Sequence, residues 1–261
     1  MTRLQELWER LILSVKPPRV VTIIGSGGKT SLMYNLQARL AAAGLAAVAT
    51  ATTKLSRRSP YGYTYIQSLA DGCAALDSSR EPRQPIALVA GGVPGDPDKV
   101  AGLPPDWIDN LAERYIDRVF LVEGDGAAGR PLKGHLGHEP VIPAASRLVI
   151  AVVGIDAIGA PLTQAAVHRP ERISELTGLL PGEPVTVGVV AKLLLQPEGY
   201  LRACPAASRM VVFINKVESP ERCQQAEGLA ALLLAAGHPQ IDAVVIGSVL
   251  KQQFREVVAE S

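Results

Sequence analysis

Residues 20–35, VVTIIGSGGKTSLMYN, constrain the fold more than any other stretch of this chain. Val20 to Ile24 is a short, apolar, β-branched run with the composition of a buried strand. Gly25-Ser26-Gly27-Gly28 ends it, and Lys29-Thr30-Ser31 opens a segment with helical spacing at Leu32, Leu36 and Leu40. Strand, glycine loop, Lys-Thr and helix is the order of a phosphate-binding loop. Glycines let the backbone approach a phosphate and turn N–H groups toward it. The helix N-terminus adds partial positive charge, Lys29 supplies a full one, and the Thr30 hydroxyl is a ligand for Mg²⁺.

The common form of such a loop has four residues between its first glycine and Gly-Lys. That position is Ile23 here, so the full pattern is absent. What remains, Gly25-x-x-Gly28-Lys29-Thr30, resembles the shorter loop of Mur-type peptide ligases. The competing reading is a Gly-rich turn whose lysine merely reaches solvent. Strand, glycines, Lys, hydroxyl and helix in one register favour nucleotide phosphate binding, with ATP or GTP as the ligand.

Composition narrows the partners. The 261 residues carry a formal net charge of +1, and no Lys/Arg cluster tracks a nucleic acid. Aromatic residues make up 4% of the chain, too few for a base-stacking platform. No apolar run reaches the roughly 18 residues of a membrane span. The N-terminal MTRLQELWERLILSV is an amphipathic helix with acidic residues inside it, unlike a signal peptide. A cytoplasmic protein is therefore expected, with no nucleic-acid or membrane partner and with a homodimer left open. Cys73, Cys204 and Cys223 are widely spaced and form no Cys-x-x-Cys pair, so free thiols are expected.

The rest of the chain alternates strand-like and helix-like segments. A helix is predicted over 3–14, with Leu4, Leu7, Trp8, Leu11 and Ile12 on one face. The helix after the glycine loop should end near Gly44, and a strand over 46–50 runs into Thr52-Thr53-Lys54. Hydroxyls and a cation at a strand's C-terminal end sit where a parallel sheet binds ligands, so Thr53 and Lys54 are candidates for a second phosphate or acidic-substrate site. Residues 56–65 read as a loop with three tyrosines, and 91–95 as a turn after a strand at 86–90. A helix is expected over 104–115 with Trp107, Ile108, Leu111 and Tyr115 inward. The strand at 119–122 ends in Glu123-Gly124-Asp125, the carboxylates that a phosphate-loop enzyme needs for its metal. Arg130 and Lys133 follow, as cations able to neutralise a transferred phosphoryl group. His135, His138 and Glu139 lie among prolines and glycines without a helix to align them as metal ligands.

Further strands are expected at 148–153, 209–214 and, last, 243–246. Helices are expected at 171–180, at 186–195 capped by Thr186, at 197–204 and at 221–236. This alternation implies an α/β fold with a doubly wound, mostly parallel sheet of the P-loop NTPase kind. It reads as one domain over 1–261, with a Pro/Gly-rich active-site loop around 124–145.

Several stretches together resemble a known family. They are IIGSGGKTS (23–31), ATATTKL (49–55), VEGDGAAGRPLKGHLGHEPVIP (122–143), VVGIDAIG (152–159), HRPE (168–171) and FINKVE (213–218). The chain looks like a YqeC-type protein, a family of accessory factors of selenium-dependent molybdenum hydroxylases. The likeness runs along nearly the whole length, and Gly124 departs from the alanine expected between the two acids. The resemblance implies a P-loop nucleotide-binding protein in the maturation of a selenium-containing molybdenum enzyme. Its partners would be that client hydroxylase and a molybdenum or selenium cofactor or precursor.

The resulting expectation is an enzyme that hydrolyses or transfers a nucleotide γ-phosphoryl group. Gly25, Ser26, Gly27, Gly28, Lys29, Thr30 and Ser31 would hold the phosphates. Thr30 with Glu123 or Asp125 would hold Mg²⁺, and the other acid would orient water or an acceptor. Thr52, Thr53, Lys54, Arg130 and Lys133 would line the acceptor side. A nucleotide-gated chaperone and a cofactor-binding module are the alternatives. Asn215-Lys216-Val217-Glu218 resembles the Asn-Lys-x-Asp signature with which many GTPases hold guanine, with glutamate in place of aspartate. A plain strand-end turn explains the same residues equally well.

Overall fold

The computed structural model describes residues 6–79 and 84–258. In chain order the elements begin with α1 (Glu6–Leu13), β1 (Arg19–Gly25), α2 (Lys29–Ala42), β2 (Ala47–Ala51), β3 (Lys54–Ser56) and β4 (Thr64–Tyr65). Next come α3 (Leu69–Ser78), β5 (Ile86–Val89), β6 (Gly91–Val93), β7 (Asp96–Ala101), α4 (Pro105–Arg114) and β8 (Val119–Glu123). After β9 (Ser146–Gly154) there is a 3-10 turn, Ile155–Ala157, then α5 (Pro170–Thr177) and α6 (Val187–Leu195). The chain closes with β10 (Arg209–Asn215), α7 (Pro220–Ala235), β11 (Ile241–Ser248) and β12 (Gln253–Val257). The architecture is α/β with mostly parallel strand pairing, as the alternation predicts.

Two compact units make up the described chain. The first contains the described residues up to Ile23, then Thr30–Gly126 and Val141–Leu148. Its strands run in the order β1-β8-β2-β5-β4, all pairs parallel. The register sets Glu123 opposite both Ile23 and Ala51, so the acid closes β8 between β1 and β2. Val20, Val48, Leu88, Phe120 and Val122 form a core with Leu76 of α3 and with Ile108 and Leu111 of α4. Trp107 and Tyr115 pack against it from the rim, as their helical spacing predicts. Trp8, Leu11 and Ile12 of α1 are buried, while the predicted Leu4 lies outside the described residues. Gly44 stops α2 in a left-handed conformation (φ +81), and the Leu45 amide donates back to the Leu40 carbonyl.

A second, antiparallel sheet in this unit, β3-β7-β6, departs from the sequence reading. Residues 91–93 form a strand, not a turn, and 54–56 is another. Gly91 and Gly92 disfavour a strand by propensity, and their pairing with Ala101 and Val100 overrides it. Helix α3 has no counterpart among the sequence expectations, although Ser68 caps it by accepting from the Asp71 amide.

The second unit contains Ile24–Lys29, Ala127–Pro140 and the described residues from Val149 onward. Its strands run β9-β10-β11-β12, with β10 and β11 parallel and β12 antiparallel to β11. Helix α5 packs on α6, α6 on α7, and α7 on β11. Thr186 caps α6, its hydroxyl accepting from the Val189 amide at 3.3 Å, as predicted. Two expectations fail here. Residues 197–204 form successive tight turns in place of a helix. Bonds such as Gly199 N to Gln196 O and Cys204 N to Leu201 O span three residues, and Ala203 turns left-handed (φ +57). The strand at 241–248 is also not the last, because β12 pairs along it with Phe254 buried against Phe213.

Candidate functional site

The glycine loop is held open by its own unit. Ser26 donates its amide to the Val152 carbonyl at 2.9 Å, and Gly27 donates its amide to the Arg130 carbonyl at 3.0 Å. Those two N–H groups therefore anchor the loop. Gly27 has φ +84, and a Cβ there would lie 2.4 Å from the Gly154 nitrogen. Gly28 has φ +127, with a Cβ position 2.4 Å from Asn215 Nδ2. A side chain at either place would strain the backbone and force its neighbours to shift. The Lys29 ammonium is buried and donates to the Gly25 carbonyl at 2.6 Å, folded back over its own loop. The Ser26 side chain is 1% exposed, and its hydroxyl has no hydrogen-bond partner among the described residues. Ser31 is exposed in the first turn of α2.

In the first unit, the Thr30 hydroxyl at the start of α2 donates to Glu123 Oε2 at 2.6 Å. The backbone beyond Glu123 is fixed on both sides. Gly124 donates to the Ile23 carbonyl and accepts from the Val141 amide, each at 2.9 Å. Thr52 donates its amide to the Glu123 carbonyl and its hydroxyl to the Val141 carbonyl at 2.7 Å. Asp125, one residue further on, is fully buried. Among the described residues there is no group of three or more His, Cys, Asp or Glu that would hold a metal by itself. A hydroxyl and a carboxylate sharing one point are, however, a fitting pair of hard oxygen donors for Mg²⁺, which takes its other ligands from phosphate and water.

Thr52 thus uses its hydroxyl internally, while the enclosed Thr53 hydroxyl has no partner among the described residues. Lys54 is exposed on β3, in the small antiparallel sheet. The 56–65 stretch is tied down by Tyr63, whose hydroxyl donates to the Ser56 carbonyl at 2.6 Å and meets the Tyr34 hydroxyl at 3.0 Å. Burial first, then the bond to Tyr34 and the nearby Glu123 charge, push the Tyr63 phenol well above its ordinary range.

The 127–140 segment separates its two cations. Arg130 is half-buried, and no side-chain hydrogen bond to it exists among the described residues. Lys133 is fully buried and pairs with Glu139 at 2.8 Å. Arg169 closes on the same carboxylate through Nη1 to Oε2 and through Nη2 to Oε1 at 3.2 Å. Burial alone would raise the Glu139 pKa. The hydrogen bonds and charges of Arg169 and Lys133 outweigh it and bring the carboxyl down to about 2. Lys133, expected to face a phosphoryl group, is in the structure a partner of Glu139. His135 is buried edge-on against the Tyr200 ring, with centroids 4.6 Å apart.

The Asn-Lys-x-Glu segment lies in the second unit beside the glycine loop. Asn215 Nδ2 donates to the Gly27 carbonyl at 2.8 Å, and Oδ1 accepts from the Val249 amide at 3.0 Å. Both ends of that amide tie loops together. Lys216 pairs with Asp156 Oδ2 at 2.7 Å, and Glu218 Oε1 accepts from the Ser248 hydroxyl at 2.8 Å. Asp156 and Ser248 had no sequence signal, since each is 60 or 30 positions from its partner.

Comparison with known proteins agrees with the sequence resemblance. Residues 21–171 match the family described as YqeC protein. The uncharacterized protein YqeC of Escherichia coli (strain K12) is 32% identical over 234 residues, spanning 90% of this chain and 89% of that protein. Among solved structures, the signal recognition particle receptor FtsY from Elizabethkingia anophelis aligns with a TM-score of 0.40 at 15% identity. That alignment spans 97% of this chain and 68% of the FtsY chain. The chain belongs to the YqeC family. No helix among the described residues is long and apolar enough to cross a membrane.

Proposed function

We propose that this YqeC-family chain binds a magnesium nucleotide through its glycine loop and hydrolyses or transfers the terminal phosphoryl group. The observation that carries the reading is the Thr30–Glu123 hydrogen bond of 2.6 Å. The hydroxyl that opens α2 and the carboxylate that ends β8 converge on one point, and a plain glycine turn has no use for an acid there. Thr30 and Glu123 would hold Mg²⁺, which when bound neutralises charge on the β and γ phosphates.

The residues of the chain then divide the work. Lys29 exchanges its own loop carbonyl for phosphate oxygens, a stronger partner because both groups are charged. The amides of Gly28 and the first turn of α2 cradle the same oxygens. Asp125 orients water or an acceptor hydroxyl and takes its proton. Arg130 neutralises charge developing on the transferred group. Thr53 and Lys54 face the acceptor. The family resemblance supplies the context in which this chemistry would act, maturation of a selenium-dependent molybdenum hydroxylase. The acceptor there would be a cofactor or selenium precursor.

The test is steady-state phosphate release from Mg·ATP and Mg·GTP, with and without the client hydroxylase. Release that depends on Mg²⁺ and is lost with Lys29→Ala supports the proposal. Tight nucleotide binding with turnover only when the client is present would make the chain a gated delivery factor. No binding of either nucleotide would overturn the reading.

A further inference from the structure

We infer that the nucleotide is a guanine nucleotide, read at its base edge by Glu218 held by Ser248, with Lys216 fixed along the base face by Asp156. This rests on the phosphate-loop reading above. All the residues that carry it lie in the second unit together with Gly25–Lys29.

The base-reading end adjoins the phosphate loop. Asn215 is 4% exposed and bonds Gly27 on one side and Val249 on the other, so it joins the loop to the ends of both β10 and β11. It is a joint more than a base contact, with only one N–H left over. The next residue, Lys216, adopts a left-handed backbone (φ +66), which is costly for a lysine and marks a position held for a purpose. The Val217 amide fixes that turn by donating to the Gly247 carbonyl at 2.9 Å. The lysine's ammonium is drawn to Asp156, so its aliphatic stem is stretched at a defined place instead of waving in solvent.

Glu218 is positioned with the same care. Ser248 Oγ donates to Oε1 at 2.8 Å and itself accepts from the Lys251 amide at 3.1 Å. The Lys251 ammonium donates to the Glu218 carbonyl at 3.0 Å. The second carboxylate oxygen, Oε2, makes no hydrogen bond among the described residues. Such a group only accepts. Guanine offers N1–H and the N2 amino group side by side, whereas adenine presents the lone pair of N1 at that place. The carboxylate therefore attracts guanine and repels adenine. Because Ser248 occupies one oxygen, a single charge-assisted hydrogen bond discriminates, giving a preference of about ten- to a hundredfold.

The experiment is calorimetric titration of the full chain with Mg·GDP, Mg·ADP and Mg·XDP. Wild type should bind GDP about tenfold or more tighter than ADP. Glu218→Gln should weaken GDP about tenfold and strengthen XDP, because an amide N–H donates to the xanthine C2 carbonyl that a carboxylate repels. Ser248→Ala should reduce the GDP-over-ADP ratio. A merely structural role for Glu218 would move all three ligands together, and that outcome, or equal GDP and ADP affinity in wild type, overturns the inference while leaving the phosphate loop standing. No binding of any of the three would overturn both.

Discussion

Replacing Glu139 by glutamine removes the one anion that two cations share. Glu139 is 9% exposed and is held by Lys133 at 2.8 Å and by both Arg169 nitrogens. Its carboxyl falls from 4.5 to about 2 in spite of burial. A shift of that size corresponds to about 3 kcal/mol, at about 1.4 kcal/mol per unit. The sign is fixed by linkage: a carboxylate depressed in the folded state stabilises fully above its unfolded pKa and loses that stability as pH falls through the folded value. The contribution is therefore complete at neutral pH, declines below pH 4.5, and is gone near pH 2. Removing one member of a buried ion pair gives a similar figure, roughly 3–5 kcal/mol. Urea unfolding of wild type and Glu139→Gln should differ by about 3 kcal/mol at pH 7 and by about 1.4 kcal/mol at pH 3. A gap below about 1 kcal/mol at pH 7, or one that stays constant down to pH 3, would refute the reasoning.

Three further outcomes are expected. Lys29→Ala should lose the rise in melting temperature that saturating Mg-nucleotide gives wild type, about 2.7 kcal/mol at one hundred times the dissociation constant; a variant that still melts higher with nucleotide moves the site elsewhere. Glu123→Gln should slow phosphate release by about 10²-fold or more, and wild-type rates would reduce the acid to strand-end solvation. Gly27→Ala should cost roughly 2–5 kcal/mol, from the left-handed backbone and the 2.4 Å approach to Gly154 N. A chemical melt within about 1 kcal/mol of wild type would mean the loop yields easily.

The parts of the fold legible in the sequence are those where local chemistry and apolar spacing agree. Residues 20–40 combine a β-branched run, a glycine break and Leu32, Leu36 and Leu40 at one helical face, and all three leucines are buried. Thr186 announces α6 by the same logic of cap plus apolar run. Helix α3 shows the cost of weighing apolar spacing above capping. Asp71 donates its amide to the Ser68 hydroxyl, and its carboxylate accepts from the Gln67 amide at 2.9 Å, yet the segment is rich in alanine and aspartate and has no strong stripe. Strands β6 and β12 were illegible for another reason. Gly91 and Gly92 have no side chains to pattern, and β12 is five residues long, so partner strands decide both.

The site divides along the same line. The meeting of Thr30 with Glu123 is legible because a hydroxyl at a helix start and an acid at the end of a neighbouring strand share one edge of the sheet. Arg130 and Lys133 could not be told apart, being two cations in one Pro/Gly-rich loop with no periodicity to orient them. What separates them is Glu139. A buried cation needs an anion beside it, since an unpaired charge in the interior is far costlier than one in water. Lys133 is fully buried and has that anion at 2.8 Å, so its charge is committed to holding the loop. Arg130 is only half-buried, and its carbonyl, not its guanidinium, is what binds the Gly27 amide. The fold therefore takes Lys133 for its own cohesion and leaves the Arg130 guanidinium half-buried.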